Sequence, residues 1–276
     1  MTAGASTETP AEALARLYDL DLAEDPGDLE LYRALARRTG GPIVELAVGT
    51  GRVASALVAD GHRVIGVDND PAMLARARTH GQIEGLTLVE ADLVEAPAIA
   101  AVSAQGPFRL AIIALNSVLL LASGERQRAA LSAMARLLSP GGLAVVDAWQ
   151  PGPQDLVAFD GRLSLEWLRT DPATGHEVTK TAAAWFDPAT RLVTLTTIFE
   201  EGEPGRPPAR WIRSDALRLV TVDELTAYAE AAGLEVEQLA GDHELGGIQP
   251  GSDRVVLVAR KPSPQVASRP LSGRQT

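Results

Sequence analysis

The 276-residue sequence predicts an α/β chain, a doubly wound and mainly parallel sheet with an antiparallel β insertion after strand five. Three observations predict it. From residue 42 to about residue 150, short apolar runs alternate with segments of helical period. The first apolar run ends in Ala47-Val48-Gly49-Thr50-Gly51, and a helical pattern (Val53, Ala56, Leu57) follows at once, which reads as a strand, a tight turn and a helix N-terminus. From residue 161 to about 219 the period changes to two, as in a hairpin-rich antiparallel sheet.

Taken in order, residues 11–18 and 29–38 read as two short helices. The segment 1–41 is expected to cover the ligand, with Tyr18 on a cofactor and Tyr32 on a substrate; two aromatics packing a helix pair is the competing reading. Strands follow over 43–47, 62–68, 86–90, 108–115 and 143–148. Pro71 starts one helix and 126–138 forms another, with Ser139-Pro140-Gly141-Gly142 as a hard stop before strand five. In the insertion, 151–220, the stretches 176–186 and 191–200 make a hairpin about Asp187-Pro188-Ala189-Thr190, and 211–219 makes a further strand. Thr221-Val222-Asp223-Glu224 is a capping box whose helix ends at Gly233. Residues 234–239 and 254–260 complete the main sheet, so 42–150 and 221–260 form one unit. The Pro/Ser/Gln/Arg-rich stretch 261–276 is expected to be a disordered tail.

Composition excludes several functions. A net charge of −11 argues against nucleic acid or an anionic membrane as the main partner. Without cysteine there is no disulfide framework, zinc–cysteine site or thiol nucleophile, which fits a cytoplasmic protein. No apolar run reaches membrane-span length, and the polar residues 1–10 do not read as a signal peptide. Homo-oligomer formation is compatible with all of this.

Ligands bind such sheets at the carboxyl ends of the strands. Those ends carry Glu45 and the glycine turn, Asp68-Asn69, Asp92-Leu93, Asn116-Ser117 and Asp147-Ala148-Trp149, with Arg52 as the one base. Gly49-Thr50-Gly51-Arg52-Val53-Ala54 matches a dinucleotide pattern, G-x-G-x-x-A, with Asp68 nineteen residues beyond Gly49. An NAD(P)-dependent oxidoreductase is therefore an alternative, and a non-catalytic cofactor-binding protein another. The acids argue against a pyrophosphate and for a cationic, phosphate-free nucleoside.

Glu45-Leu46-Ala47-Val48-Gly49-Thr50-Gly51-Arg52 resembles the first motif, E/D-x-G-x-G-x-G, of the class I S-adenosylmethionine-dependent methyltransferases, with Ala47 in place of the first glycine. Val-Ile-Gly-Val-Asp-Asn-Asp-Pro-Ala-Met-Leu at 64–74, Glu-Ala-Asp-Leu at 90–93, Ala-Leu-Asn-Ser at 114–117 and Leu-Ser-Pro-Gly-Gly-Leu at 138–143 resemble the later motifs, in order and at family spacing. The resemblance covers about residues 42–150. It implies a Rossmann-like fold, S-adenosylmethionine as cofactor and methyl transfer to a small-molecule acceptor at N, O or C, in specialised metabolism. It implies that Glu45, Ala47, Gly49, Gly51 and Arg52 form the cofactor turn and that Asp68 grips the ribose. Asn69 and Met73 would flank the adenine, Asp92 would meet its amino group and Leu93 its ring, and Asn116 would stand beside the methionine part.

Methyl transfer from an activated sulfonium needs orientation and exclusion of water, no metal, and a base only for some acceptors. His243, in the loop between the last two strands, is the candidate base, with Asp242 beside it to orient the ring. Trp149 follows strand five, and Trp185 and Trp211 lie in the insertion; these three are the candidate substrate-binding aromatics, against the competing reading that insertion tryptophans fill a small core.

Overall fold

The computed structural model describes residues 8–24, 26–79, 84–202 and 205–264. Helices α1 (Pro10–Asp21) and α2 (Leu29–Thr39) lead into β1 (Ile43–Leu46), α3 (Arg52–Ala59), β2 (Val64–Asp68), α4 (Pro71–Thr79) and β3 (Leu86–Glu90). There follow α5 (Ala96–Ser103), β4 (Phe108–Ile113), a 3-10 turn at Leu119–Leu121, α6 (Gly124–Leu137) and β5 (Leu138–Trp149). After α7 (Pro153–Ala158) come β6 (Ser164–Thr170), β7 (Glu177–Asp187), β8 (Leu192–Gly202) and β9 (Ala209–Arg218). Then α8 (Val222–Ala231), β10 (Glu235–Ala240) and β11 (Arg254–Arg260) close the chain.

The main sheet has seven strands in the order β10-β11-β5-β4-β1-β2-β3. The five from β1 to β5 are parallel, and β11 runs antiparallel to both β5 and β10. Alternate strand residues feed two apolar layers, as a sheet covered on both faces requires. Val44, Ala111 and Val146 pack with α5, α6 and α8 on one face. Ile43, Leu110 and Val145 pack with α2 and α3 on the other. The insertion is a separate antiparallel sheet, β6-β7-β8-β9.

The 1–41 lead-in does not act as one cover. Helix α2 belongs to the main sheet's second layer. Helix α1 bridges the two units: Leu17 and Leu20 pack with Val178 and Phe199 of the insertion, and Asp19 pairs with Arg76 of α4 at 2.6 Å. Arg16 secures this seam through ion pairs with Asp171 and, at 2.8 Å, with Glu201.

Two boundaries differ from expectation. Ser139 to Gly142 is not a loop: the chain leaves α6 and enters β5 directly, and the β4 ladder jumps from Phe108↔Leu138 to Leu110↔Leu143, so Pro-Gly-Gly forms a bulge in the strand. At the other end, the Lys261 N–H still bonds the Gly142 carbonyl at 2.9 Å, so order continues past 260; most of the expected tail, 265–276, lies outside the described residues. The capping box at Thr221 forms as expected, with the Glu224 N–H on Thr221 Oγ1 at 3.1 Å and the Thr221 N–H on Glu224 Oε2 at 3.1 Å. Among the described residues no helix is long and apolar enough to cross a membrane.

Candidate active site

The turn after β1 sets the site. Ala47 holds a left-handed φ of 60°, at the position where the motif has glycine, and Gly49 follows with φ 55°. Glycine takes such angles freely, and alanine takes them at a cost of roughly 1 kcal/mol. The payoff is geometric: the Gly49 N–H points across to β2 and donates to Asp68 Oδ2 at 2.8 Å, while the Asp70 N–H donates to Asp68 Oδ1 at 2.9 Å. Burial pushes the Asp68 carboxyl up, and these two N–H groups offset part of that.

Over this turn lies a cavity of about 290 Å³. Ala47, Gly49, Asp68, Asn69, Met73 and Leu93 line it, with Asp92 at the rim of β3. Burial favours protonated Asp92, but the Arg126 guanidinium at 2.7 Å and the Val94 N–H outweigh it, so this carboxyl sits below its usual range. A second cavity of about 250 Å³ adjoins the first. Its walls come from α1, the end of β4 and the inner face of the insertion, among them Leu14, Asn116, Lys180, Thr197, Phe199 and Leu217. Tyr18, Ser117, Leu120, Arg213 and Asp215 line both spaces. The two spaces therefore lie side by side as neighbouring lobes, and α1 contributes Tyr18 to the wall they share.

Several expected site residues stand elsewhere. Glu45 is buried behind the turn at 3% exposure, with Oε2 unpartnered, and burial pushes its carboxyl up to about 8, so at neutral pH it adds little negative charge to the rim. Arg52 is not at the cavity: it grips the buried Asp28 with two bonds of 2.7 and 2.6 Å and so fixes the start of α2. Gly51, at φ 84°, turns the chain into α3 without lining the cavity. Asn116 lines the second lobe rather than the first, and its Oδ1 accepts the Trp149 N–H at 2.7 Å.

Tyr32 is fully buried in the α2 layer and lines neither lobe, because α2 packs its apolar side onto the sheet. Trp149 lies against Phe159, with ring centroids 5.6 Å apart, and lines neither lobe. Trp185 is on the outer side of the insertion. Trp211 on β9 and Trp167 on β6 each pack against the small core of Leu17, Leu20, Val178 and Phe199 beneath α1, so both fill a core rather than lining a lid. His243 is likewise absent from the walls. Its Nε2 is 2.9 Å from buried Asp147 and 2.9 Å from Arg254 Nη1, and Arg254 also bonds Asp147 at 2.8 Å. The loop folds back on β5, so Asp147 holds the ring. Asp242 instead accepts the Gly246 N–H.

The rim also carries bases that sequence reading missed. Arg126 comes from α6 and Arg213 from β9, and Asp70 and Asp215 add acids. Lys180 forms an ion pair with Asp21, the last residue of α1, at 2.7 Å. A signal for β9 was present: Trp211, Arg213, Asp215 and Leu217 alternate with exposed residues, so all four share the inner face.

Residues 43–142 match a family model described as a methyltransferase domain. Three solved methyltransferases share the fold over nearly their whole length. The CcbJ methyltransferase from Streptomyces caelestis is 24% identical with a TM-score of 0.71, covering 87% of this chain and 97% of its own. CalS10 from Micromonospora echinaspora, an amino pentose methyltransferase solved with S-adenosylmethionine bound, is 21% identical with a TM-score of 0.66, covering 89% and 96%. The sugar N-methyltransferase KedS8 from Streptoalloteichus sp ATCC 53650 is 21% identical with a TM-score of 0.68, covering 94% and 96%. No curated protein sequence matches the chain. The chain as a whole carries the Rossmann-like fold of the S-adenosylmethionine-dependent methyltransferases, with an antiparallel insertion.

Proposed function

We propose that this chain moves a methyl group from S-adenosylmethionine to the nitrogen of a small amine in specialised metabolism. The observation that carries the reading is the pair of adjoining lobes: one stands over the motif turn and the other, sharing five lining residues with it, is walled by the insertion. The first lobe suits the cofactor chemically. Each Asp68 oxygen uses one lone pair on a backbone N–H and keeps another for a ribose hydroxyl. Asn69 and Met73 would flank the adenine, with Leu93 against its ring and Asp92 near its amino group. Bound there, S-adenosylmethionine supplies an electrophilic methyl group on a cationic sulfur.

The second lobe supports a nitrogen nucleophile. Its junction with the first offers no histidine. Burial pushes the Tyr18 phenol above its ordinary value, and both Asp215 oxygens lie within 2.9 Å of Arg213 Nε. Neither is a ready base for a hydroxyl at neutral pH, whereas a neutral amine needs none. The sugar N-methyltransferase KedS8, which shares the fold, supports the same choice. A small molecule rather than a nucleic acid also fits the net charge of −11, and a cytoplasmic location fits the cysteine-free sequence.

Calorimetry with S-adenosylhomocysteine and with NADH tests the cofactor, and we expect binding of the first alone. Mass-spectrometric detection of methyl gain across a panel of amines and matched alcohols tests the acceptor. Turnover confined to the alcohols would reject nitrogen, and NADH binding would revive an oxidoreductase.

A further inference from the structure

On the amine reading above, the methyl group crosses where the two lobes meet, so the five residues lining both stand around the reacting nitrogen. Tyr18 and Ser117 bring neutral hydroxyls, Leu120 is apolar and Arg213 is a cation. Asp215 is the one carboxylate of the five. The other acids of the walls are engaged elsewhere. Both Asp21 oxygens take Lys180 Nζ, at 2.9 and 2.7 Å, and Oδ1 also takes Trp167 Nε1 at 2.8 Å. Asp68 is held by the turn, Asp70 Oδ1 takes the Ala72 N–H at 2.8 Å at the start of α4, and Asp92 holds Arg126. Among the described residues the partner of Asp215 is Arg213 Nε, at 2.9 Å from Oδ1 and 2.7 Å from Oδ2. Each oxygen therefore keeps a lone pair for a further donor. The β9 register sets Asp215 opposite Leu195, and Leu195, Leu217 and Leu120 line the acceptor lobe with it. Apolar neighbours of this kind strengthen a hydrogen bond to the carboxylate.

We propose that Asp215 receives the acceptor nitrogen: it accepts an amine N–H, turns the nitrogen lone pair toward the methyl group and meets the positive charge that arrives on nitrogen. In the step, that lone pair forms the new C–N bond, while the C–S bond breaks with its electron pair going to sulfur. The cationic charge thus passes from sulfur to nitrogen. The product is a methylated ammonium, which gives its extra proton to water after release. A fixed carboxylate on the side where positive charge develops favours the transition state over the ground state. Asp215 takes no proton in this step. Its tie to Arg213 fixes the plane in which the carboxylate is presented.

Kinetics with the best amine of the panel test the assignment. Asp215→Asn, nearly equal in shape, should lose about 10- to 100-fold in kcat/KM for the amine, the value of a bond to a charged group, while S-adenosylhomocysteine affinity and melting temperature hold. Asp215→Glu should restore part of the loss. A second measurement needs no substitution. With S-adenosylhomocysteine present, the wild type should bind the N-methylated product about tenfold more tightly than the methyl ether of the matched alcohol, which has the same shape and no charge. Equal amine turnover by the wild type and Asp215→Asn overturns the assignment, as does a parallel fall in cofactor affinity or equal binding of product and ether. Wild-type turnover confined to alcohols rejects the amine reading itself, and the assignment falls with it.

Discussion

The cofactor lobe takes most of its walls from residues 47 to 93, where strand ends and backbone turns of one sheet do the work. The acceptor lobe draws on residues from Leu14 to Leu217, and its distinctive groups are side chains on α1 and the insertion. One lobe is inseparable from the fold's core; the other is carried by α1 and the insertion, which meet the main sheet at α4 and at the turn Leu119–Leu121. Substitutions under the first should therefore change stability or cofactor affinity, and those on the second should change acceptor recognition alone.

The largest expected effect is on stability at alkaline pH. Glu45 ionises near 8 when folded, against 4.5 when free, so between those values the folded chain keeps a proton that the unfolded chain releases. Stability must then fall as pH rises through that window, by up to about 1.4 kcal/mol per pH unit. Glu45→Gln removes the dependence, and thermal melts from pH 5 to 8 should show the variant gaining steadily on the wild type. Next in size, Asp68→Ala should weaken S-adenosylhomocysteine binding by about 10- to 100-fold in calorimetry, the value of one or two bonds to a charged group. His243→Ala takes a partner from buried Asp147 and leaves it Arg254, so a loss of about 1–3 kcal/mol is expected in denaturant titration. Its pH–rate profile should keep the wild-type shape; a vanished limb would return His243 to the chemistry.

Lys180→Ala belongs to the other lobe. It should raise the acceptor KM about three- to tenfold and leave cofactor affinity unchanged, and a fall in cofactor affinity would erase the contrast. The smallest effect is expected at Ala47. Glycine relieves the left-handed strain but gains freedom in the unfolded chain, so Ala47→Gly should raise the melting temperature by no more than about 2–4 °C.

This contrast also explains what could be read in advance. The main sheet and the cofactor turn follow from local chemistry: the small residues at 47–51, the acid Asp68 ending an apolar run, and Pro71 opening a helix all act within a few residues of themselves. Helix α5 escaped notice because its Ala-Pro-Ala-Ile-Ala-Ala-Val-Ser sequence has no polar stripe to mark a period. The acceptor wall was harder, since Lys180, Thr197 and Arg213 meet only after two sheets and α1 are assembled. Aromatic content misled at Trp211: the same alternation that places it inward brings Arg213 and Asp215 to the cavity, while the ring itself is taken up beneath α1. His243 failed for a tertiary reason, because a loop of that length can fold toward the cavity or back upon Asp147, and it folds back.

The two lobes lie side by side and share five lining residues. On the proposed reading, with adjoining lobes and no cysteine in the chain to carry a thiol-bound methyl group between visits, donor and acceptor would be resident together before anything reacts. Initial-rate plots varying one against the other should then intersect rather than run parallel. The spent donor, still lodged under Tyr18, would hold back the next turnover, so the enzyme's pace in a cell would follow how quickly its by-product is cleared.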